Sequence, residues 1–220
     1  MSNNSTPFYN LDVRTQNQIV QSTSRVILHK NGMIDNDRLM EYFYIVADGK
    51  VRCYQLNLDS GKEQTISILR NGDMFDTMIV MDAREHDVMY EALEDSELMM
   101  FKMSDIRELL RSNDSFRSVF FSYVARQMRD LEELATDISL YSTFDRLIKL
   151  LLQNSDPTNR SKYNILDGLS NTQIANLLGT VRHVVERHLK SLKDDGAIES
   201  KNRKLQIKDT QKLLDKINLI

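Results

Sequence analysis

Hydrophobic and polar positions change period partway along this chain. From about Val26 to Lys102, short β-prone runs (VILHKNGMI, YFYIVADGKVRCYQL, EQTISILRNGDMF and SELMMFKM) are separated by Asn31-Gly32, Asp48-Gly49, Ser60-Gly61 and Asn71-Gly72. Such dipeptides supply the positive φ that tight hairpin turns need. Short strands at this spacing predict an antiparallel barrel or jelly roll. Ahead of them, Leu11 to Ser22 reads as a short helix.

After Met103 the period lengthens. SDIRELLRSN reads as a brief helix with Ser104 as its N-cap. DSFRSVFFSYVARQMRDLEELATDISLYST then runs from Asp114 to Thr143 without a Gly or Pro. Within it Phe121, Val124, Met128, Leu131, Ala135 and Ile138 follow at steps of three and four, a heptad seam, with Arg126, Arg129, Asp130, Glu132 and Glu133 off it. Such a helix extends ~45 Å at ~1.5 Å per residue, longer than a roll of this size covers. The seam therefore predicts a parallel partner helix and a homodimer. The competing explanation is a stripe packed on the chain's own roll. FDRLIKLLLQNSD follows as another amphipathic helix ending before Pro157, then a loop and a strand expected at Tyr163 to Leu166.

From Leu169 to Ile198, LSNTQIANLLGTVRHVVERHLKSLKDDGAI carries two helical periods that meet at Gly179. A helix-turn-helix needs a small residue at the crossing, a tight turn, and apolar side chains locking the second helix. Ala175, Gly179 and the set Ile174, Leu178, Val184 or Val185, and Leu189 fill those offsets. Ser170 or Asn171 is the expected cap of the first helix, and Thr180 of the second. The second helix then presents Val181, Arg182, His183, Glu186 and Arg187 from its first turns, spaced to enter a major groove together. Arg182 and Arg187 suit bidentate contact with guanine O6 and N7. Lys190 on the helix end, and Lys201, Arg203 and Lys204 on a hairpin expected in AIESKNRKLQIK, fall where phosphates would run. The alternative is a plain helical bundle with a basic face.

Charge distribution separates these readings. The chain is net −3, yet residues 143–220 hold 14 Lys and Arg against 9 Asp and Glu, a net +5, leaving −8 for the residues before them. An acidic body joined to a basic end suits a nucleic-acid-binding module on a partner of another kind. At 220 residues, 41% hydrophobic and 28% charged, the chain has core enough for one large domain or two modest ones. No apolar run reaches the ~18 residues of a membrane span, and MSNNSTPFYN lacks the basic and apolar regions of a signal peptide. A cytoplasmic protein is expected. The single cysteine, Cys53, forms no internal disulfide and alone holds neither zinc nor an iron–sulfur cluster. In an expected strand, a buried, inert thiol is its default.

A β-roll, a long dimer helix and a winged helix-turn-helix, in that order, resemble the cyclic-AMP receptor protein/fumarate–nitrate reductase regulator (Crp/Fnr) family over nearly the whole chain. DSGKEQTISILRNGDMF is similar to the family's strand–turn–strand segment, with Gly61 and the Gly72-Asp73 turn. SNTQIANLLGTVRHVVERHLKSLKDDGAI is similar to its helix-turn-helix, with Gly179, Arg182, Arg187, Leu189, Leu192 and Gly196 in matching places. The resemblance implies an α+β fold with a sensor roll over residues 1–113, a dimerisation helix over 114–143 and a winged helix-turn-helix domain over 144–220. It also implies a dimeric bacterial transcription factor that binds near-palindromic double-stranded DNA and acts with RNA polymerase.

Departures from the family pattern bear on the signal. Members that bind cyclic nucleotides carry a Gly-Glu pair after the Gly-Asp turn and an Arg-Ser/Thr-Ala run downstream. Here Asp76-Thr77 and His86-Asp87-Val88 stand in those places. Asp76, Asp82, Glu85 and Asp87 would repel a phosphate, with Arg84 as the lone counterweight, so the pattern argues against cyclic AMP. No cysteine precedes Cys53, which closes the iron–sulfur option. Haem stays open, with His29 or His86 as axial candidates. On the recognition helix, His183 replaces the usual acidic residue and Glu186 sits where a small residue is usual, so operator sequence does not transfer from other members. His188 reads as a packing residue. A second reading is a haem- or small-ligand-binding signalling protein whose winged domain binds another protein. An enzyme on a cupin-like roll would need a His-x-His strand with a nearby Glu, which the sequence lacks.

Overall fold

A computed structural model describes residue 19 and residues 23–159, 162–201 and 204–217. The helix expected at Leu11 to Ser22 lies outside the described residues except for Ile19. The β-rich region forms two sheets. β1 (Ser24–Leu28), β7 (Ser96–Lys102) and β3 (Tyr42–Asp48) make one, in the order β1-β7-β3. β2 (Met33–Ile34), β6 (Met89–Ala92), β4 (Val51–Asn57) and β5 (Lys62–Leu69) make the other, in the order β2-β6-β4-β5. The crossovers between sheets are those of a roll, as the short strands and turn dipeptides predict. Gly49 has φ +105, and a Cβ there would collide with the Ser96 side chain, so this turn requires glycine.

Three elements inside the roll carry no clear local signal: α1 (Asn36–Glu41), α2 (Thr77–Asp82) and strand β6. Each is short and tertiary packing decides it, through buried Leu39, Ile79 with Val80, and Tyr90 with Ala92 respectively. α3 (Met103–Ser112) has Lys102 at its cap and begins two residues before the position expected from a Ser104 cap. Strand β7 runs directly into it, buried Met103 pins its first turn, and the Ser104 hydroxyl turns to Asp105 at 2.9 Å instead.

α4 (Asp114–Leu140) is 27 residues long and stops short of Thr143. Ser142 ends it by starting the next helix: its hydroxyl accepts from Asp145 N at 3.1 Å and donates to the Asp145 carboxylate at 2.6 Å. The residues α4 buries against the roll are Phe116, Phe120 and Tyr123, a stripe distinct from the heptad seam. The Tyr123 hydroxyl accepts from Met74 N at 2.8 Å and donates to Met74 O at 3.1 Å. Arg126 lies over the Tyr123 ring at 4.7 Å and reaches the Asp73 carboxylate at 3.3 Å. One turn of α4 thus reads both the backbone and the side chain of the Asp73-Met74 segment.

The chain divides into two compact units inside α4, between Asp130 and Leu131, with Lys62–Thr65 grouped in the second. In that second unit α5 (Thr143–Ser155) buries Leu147, Ile148, Leu150 and Leu151. Lys149 joins it to the end of α4, at 2.8 Å from Glu133 and 2.7 Å from Asp137. Burial alone would lower the Lys149 ammonium, but its hydrogen bonds to Asp137 and Glu133 outweigh that and hold it above its ordinary value. The strand expected at Tyr163 to Leu166 is a series of turns. Ile165 and Leu166 are buried there, and Asn154 serves the backbone in place of a ladder partner, its side chain accepting from Leu166 N at 2.9 Å.

Replacing Tyr123 with Phe leaves the buried Met74 amide without its acceptor. The variant is expected to lose ~1–3 kcal/mol of stability, read as a lower urea midpoint at unchanged slope; an unchanged midpoint would show that the hydroxyl does not anchor the helix.

Candidate nucleic-acid interface

α6 (Asn171–Leu178) starts at Ser170, not Asn171, in a reciprocal cap. The Ser170 hydroxyl accepts from Gln173 N at 3.2 Å, and Gln173 Oε1 accepts from Ser170 N at 2.8 Å. Ile174, Ala175 and Leu178 are buried on its inner face. Gly179, at φ +65, ends it in the left-handed conformation that a side chain disfavours, and Thr180 N closes the turn on Ala175 O at 2.9 Å.

α7 (Arg182–Asp194) has Val181 at its cap position, with no side-chain cap bond. The expected Thr180 cap is displaced by one residue: Val181 O accepts the first helical amides, from Val184 N at 3.1 Å and Val185 N at 3.4 Å. Val185, Leu189 and Leu192, at steps of four and three, are all but fully buried. Val185, rather than Val184, locks the helix.

The opposite face is open. Val181 is 49% exposed, and Arg182, His183, Arg187 and Lys190 are exposed with it. Glu186 is half-buried among them: its carboxylate accepts from Arg182 Nε at 2.6 Å and from Asn171 Nδ2 at 3.4 Å. The hydrogen bond from Arg182 chiefly holds the Glu186 carboxyl below the usual range. His188 packs beside Phe144, ring centroids 5.1 Å apart, and burial, with Arg187 nearby, lowers its imidazole.

β8 (Ile198–Lys201) and β9 (Lys204–Ile207) form the expected hairpin, with Lys201 paired to Lys204 in register. Both lysines are exposed, and Lys204 meets Asp167 at 2.7 Å. Arg203 lies outside the described residues. α8 (Thr210–Leu214) closes the unit, Lys212 donating to Asp195 O at 2.8 Å beyond the end of α7. Two partners here had no local signal in the sequence. Asn171 meets Glu186 across 15 positions and Asp167 meets Lys204 across 37, so only the fold brings them together. The Arg182–Glu186 spacing of four was readable.

The heptad seam of α4 is a second candidate surface. In the single chain Phe121 is 52% exposed, Met128 66%, Leu131 45% and Ile138 43%, and Ala135 is exposed too. Val124 differs, being partly buried against the roll core. Within the roll's own unit, Phe121 and Met128 therefore do not pack on it as the competing prediction requires, while Val124 does in part.

In the roll, the Asp76 carboxylate accepts from Ile79 N at 3.3 Å at the start of α2 and meets His86 Nδ1 at 2.8 Å. Burial pushes the Cys53 thiol up to about 12, the state of an inert core cysteine. His29 is exposed beside Asp95. Among the described residues, no three His, Cys, Asp or Glu side chains converge as a metal site. No described helix is long and apolar enough to cross a membrane.

A roll, a long helix and a helix-turn-helix unit together define a two-part regulator. Residues 34–113 match the cyclic nucleotide-binding domain family, and residues 145–216 match the Crp-like helix-turn-helix domain family. The chain is 29% identical over 164 residues to the cyclic AMP receptor protein of Thermus thermophilus, covering 73% of this chain and 72% of that one. It is 24% identical over 208 residues to the "Probable transcriptional regulator flp" of Lacticaseibacillus casei, covering 94% of each. The fold matches FixK2 from Bradyrhizobium japonicum with a TM-score of 0.77 at 21% identity, over 90% of this chain and 98% of that one. The chain is a Crp/Fnr-type transcription regulator with a helix-turn-helix DNA-binding domain.

The two faces of α7 should respond oppositely to truncation. Leu189→Ala is expected to cost ~2–5 kcal/mol of stability, whereas Arg187→Ala should stay within about 0.5 kcal/mol. Urea denaturation measures both, and a comparable loss for Arg187→Ala would place that side chain in the core.

Proposed function

We propose that the protein is a homodimeric, sequence-specific regulator that binds a near-palindromic operator in the bacterial cytoplasm, acts with RNA polymerase and has no enzymatic activity. The observation that carries this reading is the division of α7 into a buried apolar face and an exposed face bearing Arg182, His183, Arg187 and Lys190. A helix locked from behind and basic in front suits a major groove. In this reading Arg182 and Arg187 contact guanines, Thr180, Val181 and His183 line the same groove, and Lys190, Lys201, Arg203 and Lys204 hold phosphates. The seam residues Phe121, Met128, Leu131, Ala135 and Ile138 pair two copies, which presents two recognition helices to two half-sites. Val124 borders that seam.

The signal in this proposal is not cyclic AMP. The Asp76 carboxylate accepts from the Ile79 amide and meets His86 Nδ1, so a carboxylate stands among the residues that replace the family's Gly-Glu and Arg-Ser/Thr-Ala runs. A second anion there would meet a carboxylate at close range.

Base-reading and phosphate-holding residues should fail differently. Arg187→Ala is expected to cost ~1–3 kcal/mol per half-site on the operator, with little change on random DNA. Lys201→Ala should weaken both DNAs alike and flatten the salt dependence by about one unit of slope per contact. Affinities for both DNAs across a salt series give the answer. Equal losses on the two DNAs for Arg187→Ala would make α7 an anchor only.

A further inference from the structure

We infer that Glu186 is a positioning residue that presents Arg182 to a guanine and does not read a base itself. The inference rests on α7 being the recognition helix. Arg182 and Glu186 stand one turn apart on the exposed face, and their contact is made at the Arg182 Nε, 2.6 Å from Glu186 Oε1. That contact engages the Nε edge of the guanidinium and leaves its terminal Nη1–Nη2 fork out of the pair. The fork is the end that matches guanine O6 and N7 as a bidentate donor.

The carboxylate is held from behind as well. Asn171, the first residue of α6, donates to the same Oε1 at 3.4 Å, so the latch ties the two helices of the motif. An exposed pair at this spacing adds little to helix stability, so stability is a poor reason for its presence. An acidic side chain facing phosphates is otherwise unfavourable, and pairing with Arg182 offsets that charge. The latch has a kinetic and energetic sense: an arginine fixed before binding loses less side-chain freedom when it meets its base.

The test uses the full-length protein and a duplex enriched from random sequence by the wild type, with each base pair then substituted symmetrically in both half-sites. Arg182→Ala, Glu186→Ala, Glu186→Gln and the Arg182→Ala/Glu186→Ala double variant are compared with wild type. Wild type should discriminate against replacement of one guanine by about tenfold or more per half-site. Arg182→Ala and Glu186→Ala should both lose discrimination at that same base pair, and the double variant should lose no more than Arg182→Ala. Glu186→Gln should keep most of it, since the amide oxygen still accepts from Nε. Loss at a different base pair in Glu186→Ala would show that Glu186 reads DNA directly, and full retention would show that Arg182 needs no latch. Either result overturns the inference while leaving α7 as the recognition helix. Enrichment of no sequence by wild type would overturn that underlying reading, and this inference with it.

Discussion

One helix has to satisfy three partners in this protein. On one stripe, α4 gives Phe116, Phe120 and Tyr123 to the roll. Near its end, Glu133 and Asp137 take up Lys149 from α5. A further stripe, Phe121, Met128, Leu131, Ala135 and Ile138, stays exposed in the single chain. Each large apolar side chain left in water forgoes up to about 1.5–3 kcal/mol of burial. Four of them repeated at heptad spacing are a systematic expense rather than surface scatter, and the proposed dimer recovers it. The chain passes from one unit to the other within this helix, between Asp130 and Leu131.

The second unit follows the same logic at smaller scale. α7 is fixed by what lies behind it: Val185, Leu189 and Leu192 pack inward, and the Gly179 turn sets its start. Because the inner face is fully committed, the outer face is free to carry charge without loss of structure. Arg182 and Glu186 then add local order to that face through a single contact and its Asn171 support.

Sequence pattern reached these features unevenly. Gly-containing turns located the strands because φ > 0 is a local requirement, and heptad spacing located the exposed seam because periodicity is a property of one helix. Val124 shows the limit of that argument. It fits the seam by spacing, yet the roll lies close enough to cover it in part. Thr180 shows another: it is a good capping residue by type, but its amide closes the turn and the helix starts one residue later. The Tyr163–Leu166 run has the apolar content of a strand and no partner strand among the described residues, so the Asn154 side chain takes the hydrogen bond a ladder would have made. Asp76 with His86 was legible as a departure from the phosphate-binding pattern, while their pairing with each other depends on how α2 folds back.

The role of the α4 seam is tested most directly by sedimentation equilibrium of the wild type and of a Leu131→Glu/Ile138→Glu variant. Both positions are exposed in the single chain, so the variant should remain folded by circular dichroism. In a dimer, however, each substitution would bury a charge against its symmetry mate at a cost of several kcal/mol. The proposed assembly requires a wild-type dimer and a folded, monomeric variant. A monomeric wild type, or a variant that stays dimeric, would contradict it.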